Sequence, residues 1–191
     1  MFNPSTDKKV AIFLADGCEE IEALTVVDLL YRAGIPCVKV SVGETPVVCS
    51  SHNVTVTADT TVSHLSWDEY DMLILPGGMP GTLNLKACKP LTDAVLRFRK
   101  EGKPLAAICA APSVLAELGI LKGVRATCNP SVETALTENG AELVRENAVT
   151  ADRIITSRGM GTAIPFGLAI VAYYLGQETA DDLGRNIIYY P

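Results

Sequence analysis

The sequence predicts an α/β protein, a doubly wound and mostly parallel sheet sandwiched by helices. Three observations lead there. Short, nearly continuous apolar runs recur at residues 10–15, 71–75 and 104–108, the pattern of strands buried on both faces. Between them lie segments with apolar residues at three-to-four spacing. The links are only a few residues long, and strands alternating with helices over short links build βαβ units and a parallel sheet.

Taken in order, residues 8–15 (Lys-Lys-Val-Ala-Ile-Phe-Leu-Ala) form the first strand and Asp16-Gly17-Cys18 a turn. Residues 19–33 follow as a helix, with Ile21, Leu24, Val27 and Leu30 as its apolar stripe and Gly34 to end it. Residues 36–42 make the next strand. Alternating Val and Thr at 46–48 and 54–58 read as a small hairpin. The strand at 71–75 ends in Pro76-Gly77-Gly78. A helix at 90–100 then presents Leu91, Ala94, Val95 and Phe98 on one face. A strand at 104–108 leads into a helix at 111–118, stopped by Gly119. A short strand at 124–127 and a short helix at 131–136 follow, then antiparallel edge strands across 142–149 and a core strand at 153–156. Helices at 161–175 and 179–189 close the chain. With no repeat, low-complexity tract or linker, residues 1–191 are expected to form a single domain.

Composition excludes several function classes. Of 191 residues, 48% are hydrophobic and 20% charged, enough apolar material for one well-buried core. Sixteen basic residues against 22 acidic ones give a net charge of −6, the wrong sign for a nucleic-acid partner. The apolar run at 10–15 is too short for a signal core, and the run at 166–175 falls well below the roughly 18 residues of a membrane span. A cytoplasmic protein with no membrane partner is expected. The six cysteines (18, 37, 49, 88, 109 and 128) are scattered without a Cys-x-x-Cys pair, which reads as reduced thiols. His52 and His64 lie away from any cysteine at ligand spacing, so no metal is expected. Gly77-Gly78 lacks the surrounding pattern of a phosphate cradle, and no nucleotide cofactor is implied.

Ligands of open α/β sheets gather at the C-terminal ends of the strands. Those ends deliver Cys18, Glu19, Glu20 and Glu22; Gly77 and Gly78; Cys109 and Ala110; Cys128 and Asn129; and Arg158 with Gly159. Cys109 is the natural nucleophile. Small and apolar residues run into it and a proline-started helix follows, the layout of a nucleophile elbow. The start of that helix would favour a thiolate, and N–H groups of Ala110 and Gly78 could form an oxyanion hole. A buried structural cysteine fits the same spacing. A carboxyl facing the sulfur would be held protonated and could donate to it or shuttle a proton; spacing does not choose among Glu19, Glu20 and Glu22. Cys18 and Cys128 are candidate resolving thiols, against the plainer reading of inert packing. Arg158 reads as one half of an ion pair.

Four segments, Glu19-Glu20-Ile21-Glu22, Leu75-Pro76-Gly77-Gly78, Ala106-Ala107-Ile108-Cys109-Ala110-Ala111-Pro112 and Thr156-Ser157-Arg158-Gly159-Met160-Gly161-Thr162, together resemble the ThiJ/PfpI superfamily, in its DJ-one and YajL-like branch. The resemblance runs from about Lys8 to Leu183. It implies a flavodoxin-like sandwich, a homodimer and no cofactor. It selects Cys109 as the nucleophile, Glu22 as its protonated partner, and Gly78 and Ala110 as the backbone donors. Gly77, Cys18, Cys128 and Asn129 would line the site, and Arg32 would lie near the dimer interface. The activities implied are glyoxalase or deglycase chemistry on small dicarbonyls or glycated proteins, or alternatively redox sensing and chaperoning through oxidation of Cys109. Two departures stand out. Asn129 occupies the place of a family histidine and cannot act as a base, and the family arginine of the hairpin is missing near Ser50-Ser51-His52-Asn53. Ala110, where a protease-like branch has histidine, argues against peptidase activity.

Overall fold

The computed structural model describes residues 2–189; of the expected domain, Met1, Tyr190 and Pro191 lie outside the described residues. The principal sheet has seven strands. In chain order they are β1 (Val10–Leu14), β2 (Cys37–Ser41), β5 (Thr60–Thr61), β6 (Met72–Leu75), β7 (Leu105–Ile108), β10 (Ala148–Ala151) and β11 (Ile154–Ser157). Across the sheet the order is β10-β11-β7-β6-β1-β2-β5. All neighbours are parallel except β10 against β11. The chain leaves β1 toward β2 and later returns to β6 on the other side of β1. The crevice at the C-terminal ends of β1 and β6 is therefore the switch point where such sheets bind ligands.

Side chains alternate across the pleat and feed two cores. Ala11, Phe13, Leu73, Leu75, Leu105 and Ala107 face one side, covered by α3 (Lys89–Glu101), α4 (Pro112–Glu117) and α5 (Glu133–Glu138). Val10, Ile12, Leu14, Ile74, Ala106 and Ile108 face the other, covered by α1 (Glu20–Ala33), α6 (Ala163–Leu175) and α7 (Gln177–Asn186). The expected hairpin is present as β3 (Val47–Cys49) antiparallel to β4 (Thr55–Thr57).

Four expectations need correction. The stripe assigned to α1 is largely its outer face: Ile21 and Leu24 are 47% and 38% exposed, Val27 is half-buried, and only Leu30 is fully buried. Ala23, Val26, Leu29, Leu30 and Ala33 pack inward instead, because the helix is apolar on two sides. The strand expected at 124–127 is not part of the main sheet. It is β8 (Arg125–Ala126), which pairs in parallel with β9 (Glu142–Leu143) in a separate ribbon, so only β10 is the antiparallel edge expected across 142–149. A short helix, α2 (Gly81–Ala87), follows Pro76-Gly77-Gly78 where none was expected. The last two helices begin two residues from their expected starts, a 3₁₀ turn at Met160–Thr162 preceding α6.

Candidate active site

The tail of β7 runs into Cys109, whose φ is +64. A side chain beyond Cβ is rarely held in this left-handed region, and the strain persists only where the surroundings over-determine it. Here the backbone is strapped on both sides: the Cys109 N–H donates to Ser157 O at 3.0 Å, and the Asn129 N–H donates to Cys109 O at 2.8 Å. The bend is the expected elbow. It leaves the half-buried sulfur at the switch-point crevice, packed against the edge of the core that α1 and α6 cover.

Glu22, in the first turn of α1, is 1% exposed and is the carboxyl that meets the sulfur. Its Oε2 accepts the Gly77 N–H at 2.9 Å, so α1 and the loop after β6 are joined across the switch point. That loop must be glycine at 77. A Cβ there would lie 2.6 Å from both Cys109 Cβ and Glu22 Oε2, closer than van der Waals contact allows. Gly78, at φ +90, turns its backbone so that its N–H, with that of Ala110, faces the sulfur.

Burial pushes the Glu22 carboxyl up to about 7, against the opposing pull of Cys109 and the Gly77 N–H. Burial, and after it the Glu22 carboxylate, push the Cys109 thiol up to about 12; the N–H groups of Gly78 and Ala110 work the other way. This corrects the expectation that the following helix dominates. α4 has six residues, too few for a large dipole, and loss of water outweighs it. The two groups therefore titrate as a unit holding one proton over a wide range. With Glu22 ionised, Cys109 is a thiol; a thiolate forms when the proton resides on Glu22.

The remaining candidates separate cleanly. Cys18 and Cys128 are fully buried, on opposite faces of the sheet, and burial raises both thiols to about 11, against the thiolate that a resolving thiol needs. Arg32 pairs with Asp28 on the exposed side of α1. Ten residues beyond Glu22 on the same helix, it lies about 15 Å away along the axis, outside the site of its own chain. Arg158 is an ion-pair residue as expected, 3.7 Å from Glu133. In the hairpin, His52 Nδ1 lies 3.1 Å from Glu20 Oε2 and 3.7 Å from Glu19 Oε2. The Glu20 carboxylate beside it holds the imidazole above its usual range. Glu19, Glu20 and His52 keep one ligand atom each within 4.8 Å of the others, a grouping that could accept a metal ion.

The sequence model of the DJ-1/PfpI family matches residues 8–173. The chain belongs to this family. It is 36% identical over 189 residues to Protein DJ-1 homolog B of Arabidopsis thaliana, covering 98% of this chain and 43% of that protein; it spans about half the length of the Arabidopsis relatives. It is 34% identical over 168 residues to the glutathione-independent glyoxalase DJR-1.2 of Caenorhabditis elegans, covering 88% of this chain and 89% of the relative. The solved structure of oxidized Toxoplasma gondii DJ-1 superposes with a TM-score of 0.91 at 32% identity, covering 96% of this chain and all of that one. The DJ-1/PfpI fold is thus the sandwich expected from the sequence. No helix among the described residues is long and apolar enough to cross a membrane.

Two features of this DJ-1/PfpI chain were not singled out from sequence. Gly159, beyond β11, leans over the sulfur. It is held there by Thr162, whose Oγ1 accepts the Gly159 N–H at 3.0 Å and the Arg158 N–H at 3.2 Å. Ser131 anchors the side chain of Asn129. The only signal was local: a Gly-x-Gly-Thr turn after a strand, and a serine two residues past an asparagine.

Proposed function

We propose that this chain is a cofactor-free, cysteine-dependent enzyme acting on reactive dicarbonyls or their protein adducts, in the manner of a glyoxalase or deglycase. The observation that carries the proposal is the strained Cys109 elbow facing a buried carboxyl whose ordinary ionisation is shifted to about 7. The family, and a relative named as a glyoxalase, support it.

On this reading the steps use those groups in turn. The Cys109 thiolate adds to the aldehyde carbon, a C–S bond forms, and the carbonyl electron pair moves to oxygen, which faces the Gly78 and Ala110 N–H groups. That oxygen takes the proton of Glu22. The Glu22 carboxylate then removes the hydrogen of the same carbon as a proton and returns it to the neighbouring carbonyl carbon. The hydroxyl proton on the first oxygen passes to the second as the double bond shifts, so the aldehyde carbon becomes a thioester while the ketone becomes an alcohol, and no outside oxidant is needed. Water releases the hydroxy acid and restores the pair. We place the protein in the cytoplasm, as a homodimer joined through the outer face of α1, where Ile21, Leu24 and Tyr31 stand exposed; sedimentation should show Leu24→Glu as a monomer.

The decisive assay is lactate formed from methylglyoxal by the wild type, Cys109→Ala and Glu22→Gln. Loss of at least a hundredfold in both variants is expected from removing the nucleophile or the proton carrier, on the order of what such groups contribute. Equal rates in all three would end the reading and leave redox sensing at Cys109, for which the oxidized Toxoplasma relative is the supporting observation.

A further inference from the structure

A second cleft opens at the C-terminal ends of β1 and β2, the edge of the sheet where ligands gather. Its volume is about 620 Å³, the size of a small-molecule site. It shares no lining residue with the Cys109 crevice. Its walls come from Asp16 after β1, Ser41 and the loop after β2, the strand β3, and Asn84 of α2. The lining is charged in one sense only: Asp16 and Glu44 are present, and no lysine, arginine or histidine. Neither carboxylate has an ion-pair partner among the described residues, in a chain whose other surface acids are mostly paired.

Two features show that the cleft is built rather than incidental. Asp16 is fixed in place, since its Oδ1 accepts the Cys49 N–H at 2.8 Å and its carbonyl accepts from Asn84 Nδ2 at 2.8 Å. Those bonds leave Asp16 Oδ2 and Asn84 Oδ1 without donors among the described residues. The second feature is Ser41, which lines the cleft and is only 1% exposed. Its Oγ accepts the Gly43 N–H at 3.1 Å, which spends one of two lone pairs. The other lone pair and the hydroxyl proton have no partner among the described residues, and a buried polar group left so calls for an occupant.

We propose that this cleft binds a short alkyl diammonium ion. Asp16 and Glu44 answer its two charged ends, and its methylene stem lies on Val42, Val47 and Val48. An ammonium group carries three donors and no acceptor. The cleft offers the complement: Asp16 Oδ2, Asn84 Oδ1 and the free lone pair of Ser41. An anion would meet two carboxylates and no cation, and a neutral polyol would leave both charges unanswered. The net charge of −6 adds attraction at longer range. The site does not depend on the reading of Cys109 as a nucleophile.

Titration of the isotopically labelled protein with cadaverine, followed through amide chemical shifts, tests the assignment. Saturable shifts are expected at residues 41–48 and 84–88. An affinity on the order of 1 mM suits a ligand of this size, and it should weaken as salt is raised. The pentanediol of equal length should not saturate. Amylamine, with one charge, should bind about tenfold more weakly than cadaverine, the scale of one charge-assisted hydrogen bond. Asp16→Asn and Glu44→Gln should each weaken cadaverine about tenfold, to the level of amylamine. Asp16→Asn keeps an oxygen for the Cys49 N–H, so the hairpin is not released. Cys109→Ala should bind as the wild type does, which separates this site from turnover. Shifts that spread over the whole acidic surface without saturating, equal binding of the diol, or an affinity unchanged in both carboxylate variants would overturn the proposal. So would amylamine matching cadaverine, because the second charge would then have no partner.

Discussion

The centre and the rim of the crevice are built in different ways. At the centre, Cys109, Gly77 and Gly78 hold their places through main-chain geometry: a cysteine at φ +64, a glycine at φ +90, and a glycine with no room for a Cβ. At the rim, Gly159 and Asn129 are held by side chains, Thr162 for one and Ser131 for the other. A site fixed by the backbone cannot change without moving strands, whereas one fixed by single hydroxyls can be retuned by point substitution.

The sharpest way to break this contrast is at Gly77. A methyl group there collides with Cys109 Cβ and with Glu22 Oε2, both at 2.6 Å. Gly77→Ala should cost about 1–3 kcal/mol in denaturant melts and separate the sulfur from the carboxyl, abolishing the dependence of Cys109 alkylation on Glu22. A stable variant with intact coupling would show that the centre is as adjustable as the rim. A smaller effect is expected at Thr162. Thr162→Ala removes the acceptor for two N–H groups, worth roughly 1 kcal/mol, and should leave the pH dependence of Cys109 alkylation unaltered while loosening the Gly159 turn. A changed pH dependence would mean that rim and centre are one unit.

Much of the centre was legible because it is written in consecutive residues. Small residues into Cys109 followed by Ala-Ala-Pro, and Pro-Gly-Gly after a buried strand, are local signals of a bend at a strand end. The choice of Glu22 over Glu19 and Glu20 was not local. It depends on which side of α1 faces the crevice, and the apolar residues on both sides of that helix misdirect a periodicity argument: Ile21 and Leu24 look like core and stand in the open. β8 was misplaced for a related reason, since Val124 and Ala126 around this two-residue side strand, Arg125–Ala126, look like the apolar residues of a core strand. The seven residues of α2, bounded by Pro80 and Lys89-Pro90, are too few to show a period. Asn129 could be read only as a departure from a resemblance; its capping of the 3₁₀ turn Pro130–Val132 emerges once Ser131 is seen to donate to it.

The central claim is that Cys109 and Glu22 share one proton. Below about pH 7 both are protonated; above it the pair holds one, and the thiolate exists only while that proton sits on Glu22. The most direct measurement is the rate of Cys109 alkylation by iodoacetamide from pH 5 to pH 10, in the wild type and in Glu22→Gln. The wild type should rise through about pH 7 to a plateau, and the variant should lose that step. A single featureless rise toward pH 10, the same in both proteins, would show that the two groups titrate independently.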